Sequence, residues 1–333
     1  MMGLALHEER TLGSHVRYRT CTGQEYGQNG MMLPRAGSSD ALQVRFWGTR
    51  GSNCASGPQF VEFGGHTACV EIRCGERLFI VDAGTGLSAL GADLGTDVPA
   101  EIDILLSHLH LDHVGGLPFF KPAVLGSNRA IRTHCGNLGG ASAKQSLDRL
   151  FAPPIFPIVL DQLPARFEHR GFKSGETLRF ADGATVDTHP LNHPGGATGF
   201  RFEHRGRRVC YISDIEHSDP WPEPGLAAFV DCADLVIYDG MFSETEYVGC
   251  RGWGHSTWQK GVELCKVAHV KSLAIFHLYP GHDDAYLKAV EVEMQRVMPT
   301  AFVARERQAV TFAPVADREM VAAAADAVKV PAE

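Results

Sequence analysis

No stretch of the 333 residues approaches the roughly 20 consecutive apolar residues of a membrane-spanning helix, so no such span is expected. The first residues, Met1-Met2-Gly3-Leu4-Ala5-Leu6-His7-Glu8, lack both the basic start and the long apolar core of a secretory signal, and the expected location is the cytoplasm. The chain also lacks an overall positive field. Its net charge is -8 with histidine neutral, which argues against long nucleic acid as the partner and requires a small anionic substrate to be drawn by a local cationic centre. The nine cysteines include no Cys-x-x-Cys pair and sit mostly inside apolar runs, so they read as reduced, buried thiols rather than a disulfide framework. What remains is an ordinary globular composition, 44% hydrophobic and 21% charged, with enough apolar mass for a sizeable core.

Against this background one stretch is chemically dense: Ser107-His108-Leu109-His110-Leu111-Asp112-His113. The apolar residues Ile102, Ile104, Leu105 and Leu106 just before it predict a buried strand, so the polar side chains arrive at its end. His108 and His110 share a direction by the period of two, whereas Asp112 and His113 must turn elsewhere, and the cluster can hold two ions side by side. Imidazole and carboxylate suit zinc, iron and manganese alike.

Other strand ends carry further candidates. Residues 67–72 and 78–81 predict a hairpin turning at Cys74-Gly75-Glu76, and its second strand runs into Asp82-Ala83-Gly84-Thr85-Gly86. Asp82 either closes a plain Asx-turn or orients a metal-binding imidazole. A helix is expected near 141–151, broken by Phe151-Ala152-Pro153-Pro154-Ile155-Phe156-Pro157, a segment that suits a substrate wall or core filling. His134 and Cys135 lack partners for a metal site and read as structural. Strands at 176–180, 184–191, 199–204 and 208–212 deliver His193, in Asn192-His193-Pro194-Gly195-Gly196, and Asp214; His189 competes with His193. Asp239 ends a strand over 233–238, placed to accept a hydrogen bond from a site residue. Ser256 and Gln259 have capping-box spacing, predicting a helix to about Ala268 with Ser256 as its cap. His255 then stands just ahead of a helix N-terminus, where it either faces a phosphate oxygen or serves as a local cap. His277 follows the apolar strand 273–276, His282 is peripheral, and Asp284 is expected to cap a helix ending at Met298. Residues 1–41, rich in Gly, Arg and Ser, read as a mobile extension or the product of a start site ahead of Met31 or Met32; 42–313 form one domain; 314–333 are an Ala-rich tail.

The motif His108-x-His110-x-Asp112-His113, with Phe46-Trp47-Gly48-Thr49-Arg50-Gly51-Ser52, Gly64-Gly65-His66-Thr67, Asp82-Ala83-Gly84-Thr85-Gly86, His193-Pro194-Gly195-Gly196, Ser213-Asp214, Gly254-His255-Ser256-Thr257 and Phe276-His277, resembles the metallo-β-lactamase superfamily. The likeness runs from about Val44 to about Thr311 and is strongest to the phosphodiesterase and ribonuclease Z-like branch, including phosphoribosyl cyclic phosphodiesterases. It implies an α/β fold, the αββα metallo-β-lactamase sandwich, in a single domain. It further implies two divalent ions, zinc foremost with manganese or iron as alternatives. His108, His110 and His193 would hold one ion; Asp112, His113 and His277 the other; Asp214 would bridge them. Asp112, Asp214 and His255 would be the catalytic side chains, with Asp82 and Asp239 behind the ligands. The reaction so implied is hydrolysis of a small or cyclic phosphodiester by a metal-bridging hydroxide, His255 assisting the leaving oxygen. Ribonuclease Z-like RNA processing is the nearest rival. Residues 114–187 carry nine Lys plus Arg against six Asp plus Glu and no long Gly- or Lys-rich insertion to serve as an RNA-gripping arm. Lactone, thioester or β-lactam hydrolysis would use the same ions. A non-hydrolytic di-iron oxygen or redox sensor is a further alternative, disfavoured by His110 where a carboxylate would suit iron. Oligomeric state is open, a homodimer included.

Overall fold

The computed structural model describes residues 40–95, 98–126 and 129–315, together with a two-residue antiparallel pairing of Tyr18–Arg19 with Glu25–Tyr26. The chain divides into two compact units, 1–35 and 36–333. The expectations of a mobile extension and of an Ala-rich tail lie outside the described residues.

In the second unit two seven-stranded sheets carry helices on their outer faces, which is the expected αββα sandwich. The first sheet contains β1 (Leu42–Gly48), β2 (Cys69–Cys74), β3 (Arg77–Val81), β4 (Glu101–Leu106), β5 (Ala130–Cys135) and β6 (Arg166–Gly171) in spatial order after the edge strand β14 (Ala309–Phe312). The second contains β7 (Thr177–Arg179), β8 (Thr185–Leu191), β9 (Ala197–His204), β10 (Arg207–Ile212), β11 (Leu235–Asp239), β12 (Leu273–Phe276) and β13 (Phe302–Val303), again in spatial order. In each sheet half of the pairings are parallel, β3 to β6 in one and β10 to β13 in the other. Parallel strands need both faces covered. Accordingly Ile102, Ile104 and Leu106 of β4 pack under α1 (Gly86–Asp93), α2 (Leu111–Val114), α3 (Lys121–Leu125) and α4 (Ala143–Leu150). Val236, Tyr238, Leu273 and Ile275 pack under α5 (Pro224–Val230), α7 (Trp258–Val267) and α8 (Asp284–Val297), while α6 (Glu244–Cys250) covers a smaller cluster around Phe242. Aromatic rings join the two sheets, Phe79 lying 5.5 Å from Phe202 and Phe46 lying 6.1 Å from Phe276.

Two helix starts differ from the sequence expectation by one residue. Thr257, not Ser256, caps α7 by accepting from the Lys260 amide, because the Ser256 hydroxyl is taken by the Tyr238 hydroxyl at 2.9 Å. Asp283 caps α8, while the Asp284 carboxylate accepts instead from the amides of Glu62 and Phe63.

One carboxylate sits in the middle of buried β4. Asp103 is fully buried and neutralised by the Arg77 guanidinium at 2.5 Å, His134 Nε2 at 2.8 Å and Arg132 at 3.3 Å. Burial alone would raise its pKa; His134, Arg77 and Arg132 together pull it below the ordinary value. His134 is thus structural. Asp103→Ala takes one carboxylate from Arg77, which keeps Asp182, and from Arg132, which keeps Glu101 and Glu168, and leaves His134 Nε2 without its partner. It is expected to cost about 1–3 kcal/mol, read as a lower urea midpoint. Because the folded pKa is depressed, the carboxylate's contribution is present at neutral pH and lost only as pH falls through and below the usual carboxylate range.

Candidate metal centre

The polar cluster lies where the parallel strands of both sheets end. This is the usual ligand-binding edge of an α/β sheet, where loops can aim side chains that a strand interior cannot. β3 ends in Asp82, β4 in Ser107 to His113, β10 in Ser213-Asp214, β11 in Asp239 and β12 in His277. Asp82, Asp214 and His277 adopt left-handed φ angles of 59°, 61° and 57°. Non-glycine residues rarely take that conformation, and it persists where surrounding bonds over-determine it.

Asp82 shows such over-determination. Its carboxylate accepts from the Ser107 amide and hydroxyl, both at 2.8 Å, from the Tyr211 hydroxyl at 2.7 Å and from His113 Nδ1 at 2.8 Å. It reaches across two sheets rather than back to its own turn, so the Asx-turn geometry is not formed. Since a carboxylate only accepts, His113 carries its proton on Nδ1 and turns Nε2 inward. That Nε2 lies 3.2 Å from Asp112 Oδ2, 3.2 Å from Asp214 Oδ2 and 3.1 Å from His277 Nε2. Removing such an orienting carboxylate typically weakens metal binding 10–100-fold. Asp82→Ala is therefore expected to retain metal with an affinity lower by about that factor in a chelator competition; an unchanged affinity would remove Asp82 from the site.

A second grouping forms beside the first. His193 Nδ1 donates to the Gly254 carbonyl at 2.8 Å, which turns its Nε2 to within 3.2 Å of His110 Nδ1. His108 Nε2 lies 3.8 Å and His193 Nε2 3.9 Å from Asp214 Oδ1. The ligand-type atoms of His108, His110 and His193 lie within 4.8 Å of one another, as do those of Asp112, His113 and His277, and Asp214 falls within the same span of His108 and His113. One carboxylate therefore stands between the two groupings. His189 is not part of either, lying 3.7 Å from Glu223, and His282 bonds to Glu246 at 2.8 Å.

Two observations fit these residues to divalent cations. The buried Nε2 of His108 has no hydrogen-bond partner although it points into the cluster, an arrangement that is costly unless the lone pair is used. The carboxylates are also in ligand form: burial would raise the Asp112 and Asp214 pKa values, yet neighbouring histidines hold both ionised. His108, His110 and His193 are pushed the other way, burial first among the causes, toward the neutral form a ligand imidazole needs. His113 is buried too, but Asp214, Asp112 and Asp82 around it raise its pKa.

His255 stands apart in behaviour. Burial would lower its pKa, but Asp239 at 2.8 Å from Nδ1, with Asp214 and Asp112 behind, raises it to about 9. Its ring stacks on His277 at 4.9 Å, and its Nδ1 is 4.0 Å from Asp214. Asp239, His255, Asp214 and His277 also satisfy the distance limit for a metal group. The Pro-rich segment over 151–157 is not seen against this cluster: Phe156 packs on Phe119 and Phe151, at 5.9 and 6.0 Å, and Phe151 belongs to the core.

Several supports were not legible in sequence. Ser107 and Tyr211 hold Asp82. Glu216 accepts from the amides of Gly252 and Gly254, at 2.7 and 2.9 Å, and so fixes the carbonyl that orients His193. Buried Arg50 bonds to the carbonyls of Gly64, Tyr279 and His282 and draws together the two loops flanking His277. Gly51 admits the His277 ring, since a Cβ there would stand 2.2 Å from its Nδ1.

Comparison with known proteins gives the family and the fold. The family model described as a beta-lactamase superfamily domain matches residues 77–278, a span that includes every candidate ligand. The ribonuclease Z of Treponema pallidum is 23% identical over 305 residues, covering 76% of this chain and 93% of that protein. The metallo-beta-lactamase fold protein YhfI from Bacillus subtilis superposes with a TM-score of 0.64 at 17% identity, over 82% of this chain and all of that one. A diphosphatase from the PhnP family superposes with a TM-score of 0.61 at 15% identity, over 83% of this chain and all of that one.

Proposed function

The chain belongs to the beta-lactamase superfamily domain family, and from that premise we propose that this metal-dependent hydrolase cleaves phosphodiesters, small or cyclic ones foremost. The observation that carries the reading is the Asp239–His255 pair: an imidazole fixed through Nδ1 by a carboxylate at 2.8 Å that raises its pKa, buried beside two clusters of ligand-type side chains. His108, His110 and His193 would hold one divalent ion and Asp112, His113 and His277 a second, with Asp214 shared. Such ions supply the Lewis acidity that activates water and draws charge from a phosphoryl group.

The chain's own residues do the rest. Asp82 and the Gly254 carbonyl fix the tautomers of His113 and His193, so that both present Nε2 to the centre. Asp239 holds the His255 ring by Nδ1, which leaves Nε2 as the atom that gives a proton to a departing alkoxide. His110 is exposed while His108 and His113 are buried, so His110 marks the side from which substrate enters.

Ribonuclease Z-like processing is the rival reading, supported by the names of the relatives. A screen of the purified, metal-loaded chain against bis-p-nitrophenyl phosphate, cyclic nucleotides, cyclic ribose phosphates, lactones and pre-tRNA tests both. Turnover of small phosphodiesters without cleavage of pre-tRNA is expected; cleavage of pre-tRNA or lactones alone would overturn the proposal.

A further inference from the structure

Two large aromatic side chains beside the cluster have no role in the hydrolytic chemistry. Trp253 is 59% exposed and Tyr279 40% exposed, although each stands two residues from a histidine of the site, His255 and His277. Their rings flank the buried Phe242 ring, at 6.3 and 5.9 Å between centroids, and the same ring lies 6.1 Å from His255. The three aromatics and the proton donor therefore belong to one wall.

The exposure of Trp253 does not come from a loose loop. Gly252 and Gly254 on either side take left-handed φ angles of 84° and 89°, and both of their amides are held by the Glu216 carboxylate. The Gly254 carbonyl is bonded to His193, and a Cβ at Gly254 would stand 2.3 Å from His193 Nδ1. On the other loop, the Tyr279 carbonyl is held by Arg50. An indole is among the most favourable groups to bury, and here a fixed backbone keeps it in water at the edge of a reaction centre.

We propose that Trp253 and Tyr279, backed by Phe242, form a stacking shelf for a planar ring carried by the substrate, which makes the substrate class nucleoside phosphodiesters rather than ring-free ones. The proposal rests on the phosphodiesterase reading above and narrows it. Every nucleobase offers a π-face, so such a shelf accepts bases with little discrimination among them. A base stacked there shares a wall with His255, which brings the ester to the proton donor.

Calorimetric titration of the zinc-loaded full chain with adenosine 5′-monophosphate and with ribose 5-phosphate tests the shelf, because the two probes differ only by the base. Stacking predicts that the nucleotide binds tighter by on the order of 10-fold. Trp253→Ala and Tyr279→Ala should each erode that preference while leaving ribose 5-phosphate affinity unchanged, and Trp253→Phe should preserve it. Equal binding of the two probes by the native chain overturns the shelf and leaves the phosphodiesterase reading standing. Equal weakening of both probes in Trp253→Ala also overturns it, since the ring then only supports the loop. Binding of neither probe would count against the phosphodiesterase reading itself, and the shelf would fall with it.

Discussion

His255→Ala is expected to retain its metal and to lose about 10²–10⁴-fold in kcat on a phosphodiester whose leaving group departs as an alkoxide. The magnitude is the usual scale of general-acid assistance, and the structure supplies its precondition. Asp239, 2.8 Å from Nδ1, fixes the ring and raises its pKa, which favours the protonated, proton-giving form. A nitrophenolate needs no proton to leave, so the loss on bis-p-nitrophenyl phosphate should be much smaller. The gap between the two losses is the quantity to measure. Equal losses would mean that His255 binds phosphate by charge, no loss would leave it a purely structural residue, and loss of a metal would make it a ligand alongside Asp214 and His277.

The second large effect belongs to Asp214. Its two oxygens lie 3.2 Å from His113 Nε2 and from His277 Nε2, and one of them lies 3.8 and 3.9 Å from His108 and His193. A side chain shared in this way serves both groupings, so Asp214→Ala should lower both metal occupancies and abolish turnover. Asp214 has a φ of 61°, and asparagine tolerates that conformation better than alanine does. Asp214→Asn therefore separates lost charge from backbone strain. If either variant keeps one ion at native affinity while losing the other, Asp214 belongs to a single site.

The sequence was most informative where chemistry is concentrated at strand ends. The apolar run before His108 announced β4, and the loops around Asp214 and His277 followed apolar strands whose ends deliver side chains to one edge. His193 follows the mixed strand Thr-Val-Asp-Thr-His-Pro-Leu and was marked by its Pro-Gly-Gly loop. Edge elements were harder to see. β6 reads Arg-Phe-Glu-His-Arg-Gly, a half-exposed strand without clean alternation, and β13 has only two residues. The cap of α7 was misplaced because Ser256 and Thr257 both suit the role locally, and distant partners of the Ser256 hydroxyl, Tyr238 and His217, decide between them. Asp82 posed the same problem, since its partners Ser107 and Tyr211 are 25 and 129 residues away. Trp253 carried no periodic signal at all; its significance comes from exposure on a loop pinned by Glu216.

A dinuclear centre stands or falls on the number of ions it holds. Elemental analysis of the full chain, loaded with zinc and freed of excess metal, should give about two ions per chain, because seven ligand-type side chains in two groupings exceed what one tetrahedral ion accepts. One ion per chain under metal-replete conditions, with hydrolysis intact, would contradict it.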